Sequence, residues 1–368
     1  MSRICINLTM YSEKITGSGF FIKRIINKLQ KIDNANNYTL FVNYRLNNPE
    51  QFFNLNSSRF KVERVKIGTS KINRIIYEQL ILPFKIKNKF DIFFSPVPSF
   101  PSVFKNGNIK IITTIHDLTP FIVQGKYNAI QQKYVEYITR KAAKKSDVII
   151  TVSENSKNDI SKILNVPESM IHVIYNFLDE DLISKKRQRG NNKRKNVFFF
   201  VGNLQPGKNI ERLLKAFDLF VEENPDFELH LLGKKWKNLN LENLLSKIKW
   251  SSKVKIKGYV GEKELLDYYQ YSRALIYPSL YEGFGIPPLE AIYYCCPILI
   301  SNTSSLPEVG GRAAIYVDPY SIKSIKEGML QIIKEEVVEE KVKYYGEQLA
   351  KFDGNIQTMK LLDIFNEL

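Results

Sequence analysis

The chain alternates short apolar runs with longer segments in which apolar residues recur every three or four positions. The short runs are rich in β-branched and aromatic residues, which favours strands, while the longer periodicity, as in residues 22–32, is typical of amphipathic helices. The predicted strands are Ile4–Leu8, Ile92–Ser95, Lys110–Ile115, Val148–Val152, Val197–Val201, Glu228–Leu232, Val254–Lys257, Ala274–Tyr277 and Pro297–Ser301. Short apolar strands separated by helices predict an α/β fold with parallel sheets covered on both faces.

The alternation occurs in one half of the chain and again in the other. Residues 185–195 lie between the halves, are almost entirely cationic or amidic, and are followed by the apolar run 197–201, which indicates a linker. We therefore predict a first domain over residues 1–180, a linker over 181–195 and a second domain over 196–351. Two Rossmann-like domains with sheets facing each other across a cleft would bind ligands at the carboxyl ends of their strands.

Composition agrees with a globular protein of this size. The 368 residues are 44% hydrophobic, and no apolar run approaches the roughly 18–20 residues of a membrane span. The first residues lack a basic segment followed by an apolar stretch, so we expect a cytoplasmic protein. Cys5, Cys295 and Cys296 lack disulfide or metal-ligand spacing and are interpreted as small buried hydrophobes.

The net charge of +16 is unevenly distributed along the chain. Residues 1–180 carry +12 and residues 181–195 carry +6, whereas residues 196–368 carry −2. The basic half could face nucleic acid, anionic lipid headgroups or a phosphorylated acceptor. Nothing in the sequence matches a zinc finger, an RNA-binding sheet or a basic zipper, so nucleic acid is disfavoured. A solvated basic surface is an equally simple interpretation.

The second half contains two glutamates, Glu282 and Glu290, in the stretch Tyr-Glu-Gly-Phe-Gly-Ile-Pro-Pro-Leu-Glu. The glycines predict a loop close to a ligand, and the paired prolines suit the first turn of a helix. Glu290 would lie in that first turn, where it could accept hydrogen bonds from a ribose diol or only complement the helix dipole. Glu282 has no capping role there, so a sugar hydroxyl is a reasonable partner.

Lys208 stands in the stretch Gly202-Asn-Leu-Gln-Pro-Gly-Lys-Asn, directly after a predicted strand. We expect a helix to open at Lys208, so that its N-terminal N–H groups and the lysine form a cradle for a diphosphate. An ordinary lysine beside a Pro-Gly turn is the alternative.

Other polar positions have competing interpretations. Ser305 and Glu308 have the spacing of a capping box. His116 follows a predicted strand, where it could hydrogen-bond a sugar or serve only structure. Gly17 and Gly19 follow the first strand after a loop, where backbone N–H groups could meet a ligand or the glycines could simply turn the chain. Asp179-Glu-Asp181 imitates a metal-binding Asp-x-Asp but is not at a strand end, so no metal or other cofactor is predicted.

These residues together resemble a retaining glycosyltransferase of family 4, with the two-domain GT-B fold and dependence on a nucleotide sugar. The resemblance includes Arg74-Ile-Ile-Tyr-Glu-Gln, Thr-Ile-His116-Asp, Gly-Lys208-Asn, the element from Glu282 to Glu290, and Ser-Ser305-Leu-Pro-Glu-Val-Gly-Gly. It extends over almost the whole chain, through residues 74–83, 91–96, 114–120, 146–157, 201–209, 231–234, 258–260, 282–290 and 304–311.

The resemblance implies a role for each matched position. Glu290 would bind the ribose hydroxyls and Lys208 the diphosphate, while Glu282 and the backbone near Phe284 and Gly285 would meet the donor sugar. His116 would contact that sugar from the opposite domain. The remaining positions are assigned by the same resemblance: Gly202 and Tyr259 to the donor, Gly17 and Gly19 to the diphosphate or acceptor, and the closing helix, about 352–368, to the first domain.

One departure from the family's pattern concerns the phosphate site. An arginine commonly stands shortly before the lysine, whereas this chain has Asn203 and Gly207 nearby, which removes a bidentate donor. Arg212 and Lys234 are possible substitutes. The resemblance implies metal-independent, retaining transfer of a hexose, with GDP-mannose as first guess, in bacterial surface polysaccharide synthesis.

The acceptor implied is a saccharide or a polyprenyl-diphosphate-linked saccharide, met at the inner face of the cell membrane. A catalytically weak sugar-nucleotide-binding subunit of a larger synthase and a GT-B-type nucleotide-sugar epimerase are the alternatives. The missing arginine motivates the first alternative, and an epimerase would act without an acceptor.

Overall fold

A computed structural model describes residues 1–11, 17–68, 71–99, 109–123, 125, 127–179, 194–236 and 239–368. The chain forms two compact units. Unit 1 comprises Met1–Leu118, Gln131–Phe177 and Asp353–Leu368, and unit 2 comprises Thr119–Ile130 and Leu178–Phe352. The predicted linker falls outside the described residues, apart from Arg194 and Lys195.

Unit 1 is built on a parallel sheet of seven strands in the order β3-β2-β1-β4-β5-β6-β7. The strands are β1 Arg3–Leu8, β2 Asn37–Asn43, β3 Phe60–Val65, β4 Ile92–Ser95, β5 Lys110–Thr114, β6 Val148–Thr151 and β7 Ile171–Val173. The helices are α1 Gly17–Ile32, α2 Pro49–Phe52, α3 Lys71–Ile76, α4 Leu82–Ile86, α5 Thr119–Ile122, α6 Ala129–Lys145 and α7 Glu154–Leu164, of which α5 belongs to unit 2. A π-helical turn, Tyr77–Ile81, joins α3 to α4.

Unit 2 is built on a parallel sheet of six strands in the order β10-β9-β8-β11-β12-β13. The strands are β8 Lys195–Val201, β9 Glu228–Leu232, β10 Val254–Gly258, β11 Ser272–Tyr277, β12 Ile298–Ser301 and β13 Ile315–Val317. The helices that follow are α8 Ile210–Val221, α9 Leu241–Leu245, α10 Glu262–Tyr271, α11 Ile286–Tyr293, α12 Leu306–Gly310, α13 Ile322–Ile332, α14 Glu335–Val342, α15 Tyr345–Lys351 and α16 Gly354–Glu367, the last in unit 1.

The α/β prediction with two parallel sheets is confirmed, and each predicted strand is present with ends within two residues. Four strands were missed: β2, β3, β7 and β13. β3, β7 and β13 lie at sheet edges, where β3 alternates charged with apolar residues and β7 and β13 have only three residues each. Such segments lack the continuous apolar run that a strand buried on both faces shows.

Helices cover both sheets through apolar stripes. In unit 2 the residues Leu213, Leu214 and Phe217 of α8 are buried in one core with Phe198 and Phe200 of β8. The apolar residues of α8 recur with helical spacing, so one face of the helix is buried. The apolar residues of β8 are consecutive, so both faces of the strand are buried. In the part of the chain that the structure describes, we find no helix long and apolar enough to cross a membrane.

The closing helix α16 packs against α1 in unit 1. The Tyr175 amide donates to the Gln357 side chain at 3.1 Å, and the Lys28 ammonium donates to the Asn355 side chain at 3.0 Å. Gln357 is 1% exposed, so the last turns of the chain form part of the interior of this unit.

Candidate functional site

Lys208 lies at the carboxyl edge of the unit 2 sheet, in the loop that follows β8. A 3-10 turn, Pro206–Lys208, is followed by Asn209 in a left-handed conformation, with φ 59°, before α8 begins at Ile210. The prediction that the helix opens at Lys208 is therefore wrong. Lys208 belongs to the turn, and a residue with positive φ separates it from the helix.

The Lys208 ammonium is enclosed by two partners, one at the end of β11 and one in the loop that follows it. It forms an ion pair with the Glu282 carboxylate and donates to the Tyr277 hydroxyl over 2.9 Å. The side chains of Lys208 and Glu282 are only 11% and 13% exposed, and the ammonium lies 5.1 Å from the centre of the Tyr277 ring. Burial opposes the charged form, but Glu282 and Tyr277 outweigh it and raise the pKa of Lys208 above its ordinary value. The site therefore keeps a permanent cation.

Asn209 fastens this loop to its neighbours. Its side-chain amide donates to the carbonyls of Pro278, at 3.0 Å, and Pro319, at 2.6 Å, and the residue is 4% exposed. The Leu280 amide also donates to the Gly207 carbonyl at 2.8 Å. Asn209 thus positions Lys208, and sequence reasoning missed it; the signal was an Asn, tolerant of left-handed backbone, directly after the lysine.

The Glu282 loop is held by two serines that follow β12. The Glu282 amide donates to the Ser304 hydroxyl at 2.8 Å. The Ser305 hydroxyl lies 2.9 Å from the Glu282 carbonyl oxygen and 2.7 Å from that of Phe284, and it makes no side-chain cap with the following helix. The capping-box prediction for Ser305 and Glu308 is therefore wrong, because the hydroxyl satisfies loop carbonyls instead of a helix N–H.

Glu290 occupies the second turn of α11. The helix begins at Ile286 with prolines in its first turn, as predicted, but its first turn holds no acidic residue, so the placement of Glu290 there is wrong. A Glu290 carboxylate oxygen accepts from the buried Tyr269 hydroxyl at 2.7 Å. Burial, and then the Glu290 charge, raise the pKa of Tyr269, which keeps that hydroxyl a donor. Because the dipole acts mainly in the first turn, the simple alternative for Glu290 is weakened.

Three of the implied donor positions are constrained, the two glycines by backbone conformation and Phe284 by side-chain packing. Gly202 and Gly285 have φ of 143° and 120°, where L side chains are strained. A Cβ at Gly285 would lie 2.9 Å from a Leu306 methyl group. The Phe284 side chain is buried, with its ring edge-on to Phe352 at 5.2 Å, which leaves only its backbone for a ligand.

Tyr259 follows β10 at the edge of the same sheet and is 80% exposed. Strand β9 lies between β10 and β8, so Tyr259 is separated from the Lys208 loop along the sheet edge. Lys234 follows β9 and is exposed, whereas Arg212 donates to the Asn209 side chain at 3.1 Å and lies over the Tyr320 ring at 5.7 Å. Arg212 is therefore joined to the Lys208 loop; substitution for the family's arginine stays a prediction.

In unit 1, His116 follows β5, and its Nε2 lies 3.0 Å from the Pro96 carbonyl oxygen. Its ring meets Phe21 edge-on at 5.2 Å. Burial lowers the pKa of His116, although the Pro96 carbonyl and the Asp117 charge oppose this. Since a carbonyl only accepts, Nε2 carries the proton in the neutral ring and Nδ1 is left as an acceptor.

Gly17 and Gly19 lie in the first turn of α1, and their contact with a ligand stays a prediction. Gly19 is buried and Gly17 is exposed, with no atom within 4 Å of a Cβ built there. Asp179 is described, but Asp181 of the Asp-x-Asp stretch lies outside the described residues. Within the described ranges no group of three or more His, Cys, Asp or Glu could hold a metal; independence from metal stays a prediction.

Comparison with known proteins gives matches over most of the chain. Residues 49–182 match the family described as Glycosyltransferase Family 4, and residues 183–349 match Glycosyl transferases group 1. O-antigen chain mannosyltransferase B of Escherichia coli is 29% identical over 62% of this chain and 62% of its own length. O-antigen chain mannosyltransferase RfbU of Salmonella typhimurium is 30% identical over 65% of each chain. The chain thus spans a little under two thirds of these relatives.

Solved structures match the whole chain in fold. Sucrose-phosphate synthase from Thermosynechococcus elongatus has a TM-score of 0.74 at 15% identity, over 100% of this chain and 99% of its own. Anabaena HepE in complex with UDP has a TM-score of 0.72 at 14% identity, over 100% of both chains. At such identities the likeness establishes the fold, which is that of the GT-B glycosyltransferases.

Proposed function

We propose, because this chain belongs to the family 4 glycosyltransferases, that it transfers a mannosyl group from GDP-mannose to a saccharide in the synthesis of a surface polysaccharide. The donor side of the proposal is supported above all by one observation, the enclosed Lys208 ammonium at the carboxyl edge of a parallel sheet. Relatives described as O-antigen chain mannosyltransferases support the choice of sugar and of the polysaccharide. The HepE structure contains UDP, so UDP-sugars are tested beside GDP-mannose.

Lys208 would act by electrostatic stabilisation. As the bond between the sugar and the diphosphate breaks, negative charge grows on the leaving diphosphate, and a fixed cation nearby stabilises that charge. In the described structure Glu282 neutralises this cation. A bound diphosphate would take over part of the ammonium's hydrogen bonding, leaving Glu282 able to accept from a sugar hydroxyl. Glu290 would accept from the ribose hydroxyls while Tyr269 holds its other side.

Retention at the anomeric carbon and independence from metal are part of the same proposal. We infer that the acceptor hydroxyl attacks the anomeric carbon on the face from which the diphosphate leaves. Its proton passes to the departing diphosphate, whose remaining charge Lys208 stabilises. His116, neutral and with Nδ1 as an acceptor, could accept a hydrogen bond from a sugar hydroxyl. Incubation of the purified protein with GDP-mannose, UDP-glucose and other nucleotide sugars, followed by NMR of the product, tests this. An inverted anomeric linkage would overturn the retaining mechanism.

A thermal-shift screen of the same nucleotide sugars tests the donor. A ligand at about 100 times its dissociation constant stabilises a protein by roughly 2.7 kcal/mol, which is readily detected. We expect GDP-mannose to stabilise the wild type and to stabilise a Glu290→Gln variant less. Glu282→Gln should reduce transfer more than it reduces nucleotide binding.

The lipid-linked form of the acceptor and attachment to an anionic membrane also belong to the proposal. Leu80, Ile81 and Phe84 are 56%, 46% and 71% exposed, and the nearby Lys87 and Lys89 are exposed cations. Cations near an anionic bilayer contribute roughly 1 kcal/mol each, and exposed apolar side chains add insertion. Cosedimentation with phosphatidylglycerol vesicles, but not with phosphatidylcholine vesicles, is the expected result. Failure to cosediment with either kind of vesicle would overturn the proposed attachment to a membrane.

The alternative of a catalytically weak binding subunit is favoured by one observation, the absence of an arginine between Gly202 and Lys208. Turnover of a nucleotide sugar by the purified protein alone separates that function from the proposed one.

A further inference from the structure

Arg194, the residue before β8, lies at the amino edge of the unit 2 sheet, opposite the edge that carries Lys208. The sequence predicts a solvated linker at this position, yet Arg194 is only 8% exposed. A guanidinium is a charged group with several donors in a fixed plane, so its burial is costly unless acceptors surround it. The groups that accept from Arg194 therefore define its role.

One nitrogen of the guanidinium binds the end of α10. Nη1 lies 3.2 Å from the carbonyl oxygens of Tyr269 and Gln270 and 2.8 Å from that of Ser272. Tyr269 and Gln270 belong to the last turn of α10, where carbonyls have no partner within the helix. Positive charge is also favoured there by the helix dipole. Arg194 thus holds the last turn of α10 against the start of β11.

The other terminal nitrogen binds the end of α11. Nη2 donates to the Cys295 carbonyl at 2.6 Å, and Cys295 has a φ of 55°, a left-handed conformation that usually belongs to glycine. Its amide donates to the Ile292 carbonyl at 3.0 Å and the Cys296 amide to the Ala291 carbonyl at 2.7 Å, the pattern of a Schellman cap. Arg194 therefore stabilises the residue that closes α11, whose backbone conformation is unfavourable for a side chain other than glycine.

The two helices that Arg194 joins carry the two members of one hydrogen bond. The Tyr269 hydroxyl of α10 donates to the Glu290 carboxylate of α11 at 2.7 Å. The Tyr269 ring also stacks on Tyr294, the residue before Cys295, with centroids 5.6 Å apart. Because Arg194 binds the carbonyl of Tyr269 itself and the cap of α11, it fixes the hydroxyl and the carboxylate relative to each other.

We propose that Arg194 is a positioning residue for the nucleotide, acting through Tyr269 on Glu290. With Arg194 in place, Tyr269 binds one side of the Glu290 carboxylate and fixes its orientation toward the ribose diol. This inference rests on the proposed function, in which Glu290 accepts from the ribose hydroxyls. It assigns to a residue at the opposite edge of the sheet an effect on ribose binding and none on the diphosphate, which Lys208 binds.

Calorimetric titration of the full chain with GDP and with dideoxy-GDP, which lacks both ribose hydroxyls, tests the inference. The ratio of the two dissociation constants reports ribose binding and is independent of the fraction of a variant that is folded. In the wild type we expect the dideoxy ligand to bind at least about tenfold more weakly, because hydrogen bonds to a charged group are lost. In Arg194→Met this ratio should fall by at least about threefold. UDP with dideoxy-UDP provides the same test for a uridine donor.

Arg273→Met is the matched control. Arg273 lies at the start of β11, at the same edge of the sheet, and is half-buried, but its guanidinium donates to the Ile333 carbonyl at the end of α13. We expect this variant to lower the melting temperature and to keep the wild-type ratio. Tyr269→Phe keeps the ring but removes the hydroxyl, and it should lower the ratio as Arg194→Met does.

A wild-type ratio in Arg194→Met, or an equal fall in Arg273→Met, would overturn the inference and leave the proposed function standing. If Arg194→Met unfolds, Arg194→Lys decides, since it keeps the charge but loses the planar fork. Its ratio should still fall, and a wild-type ratio in that folded variant would overturn the inference. Failure of the wild type to bind either GDP or UDP would instead refute the proposed function, and the inference with it.

Discussion

The carboxyl edges of the two sheets share an architecture but differ in how their polar residues are held. In unit 2, Lys208 is locked to Glu282 and Tyr277, and the loops that carry them are tied together by Asn209 and Ser305. In unit 1, by contrast, the His116 ring donates to one backbone carbonyl, and burial lowers its pKa, so that the neutral ring is favoured.

The difference indicates two kinds of ligand. A cation already in position suits a group whose charge increases during reaction, because the cation does not have to move as that charge develops. A neutral imidazole whose Nδ1 is an acceptor suits a ligand with hydroxyl groups, which are hydrogen-bond donors. Variants at the two sheet edges test this difference.

Lys208→Met should have the largest effect. Loss of the cation should lower turnover by about 10²–10³-fold, and the unpaired carboxylate of Glu282, 13% exposed, should lower the free energy of unfolding by about 3–5 kcal/mol. Lys85→Met is the control in unit 1, because its ion pair with Glu63 is about 40% exposed on both sides and should contribute less than about 1 kcal/mol. Chemical denaturation and donor turnover measure both effects.

The double variant Lys208→Met with Glu282→Gln sharpens this prediction. It removes both charges, so most of the lost stability should return while turnover stays low. Recovery of turnover together with stability would show that Lys208 serves only to neutralise Glu282.

Tyr277→Phe should have the next largest effect. The ring would keep its stacking on Phe200, at 5.4 Å, but the hydroxyl that accepts from Lys208 would be lost. A hydrogen bond to a charged group contributes roughly 1.5–3 kcal/mol, so we expect turnover to fall by at least about tenfold. Tyr268→Phe removes a hydroxyl that bonds His230 in the same unit at 2.8 Å, and it should leave turnover unchanged.

Ser305→Ala tests the correction to the capping box. It should reduce turnover several-fold and stability by about 1–3 kcal/mol, because the Phe284 carbonyl loses its hydroxyl partner and the Glu282 carbonyl keeps only Ser304. Ser153→Ala removes a true cap, in which the serine accepts from the Ser156 amide at the start of α7, and should cost about 1 kcal/mol with turnover intact. An equal loss of turnover in Ser305→Ala and Ser153→Ala would contradict the role of Ser305 in holding the Glu282 loop.

His116 provides the smallest expected effect. Its pKa is lowered by burial from 6.5, so as the pH falls the unfolded chain takes up the proton first. The contribution of His116 to stability should be complete above about pH 6.5 and decline as the pH falls through 6.5 towards the folded pKa. Melting temperatures between about pH 5 and 8 should therefore depend less on pH in His116→Gln than in the wild type.

The sequence predicts nine of the thirteen described strands, because most of those nine are local runs of apolar residues. Runs such as 92–95 and 228–232 consist mostly of apolar residues and have the bounds observed. The site is predicted in part, since glycine and proline specify the loop before α11. The hydrogen bonds that hold the site together were not predicted, because they join residues far apart in the sequence. Tyr277 contacts Lys208, and Ser305 contacts Glu282, only once β8, β11 and β12 are neighbours in the sheet.

Finally, the position of α16 has a consequence for synthesis on the ribosome. Unit 1 contains the first residues of the chain but includes Asp353–Leu368, whose Gln357 and Leu361 are buried in it. Unit 2 from Leu178 to Phe352 emerges before that segment. Domains made first usually fold first. We nevertheless expect unit 1 to stay incompletely folded until residues 353–368 leave the exit tunnel. A nascent chain stalled before residue 353 should expose the interior of unit 1 to chaperones.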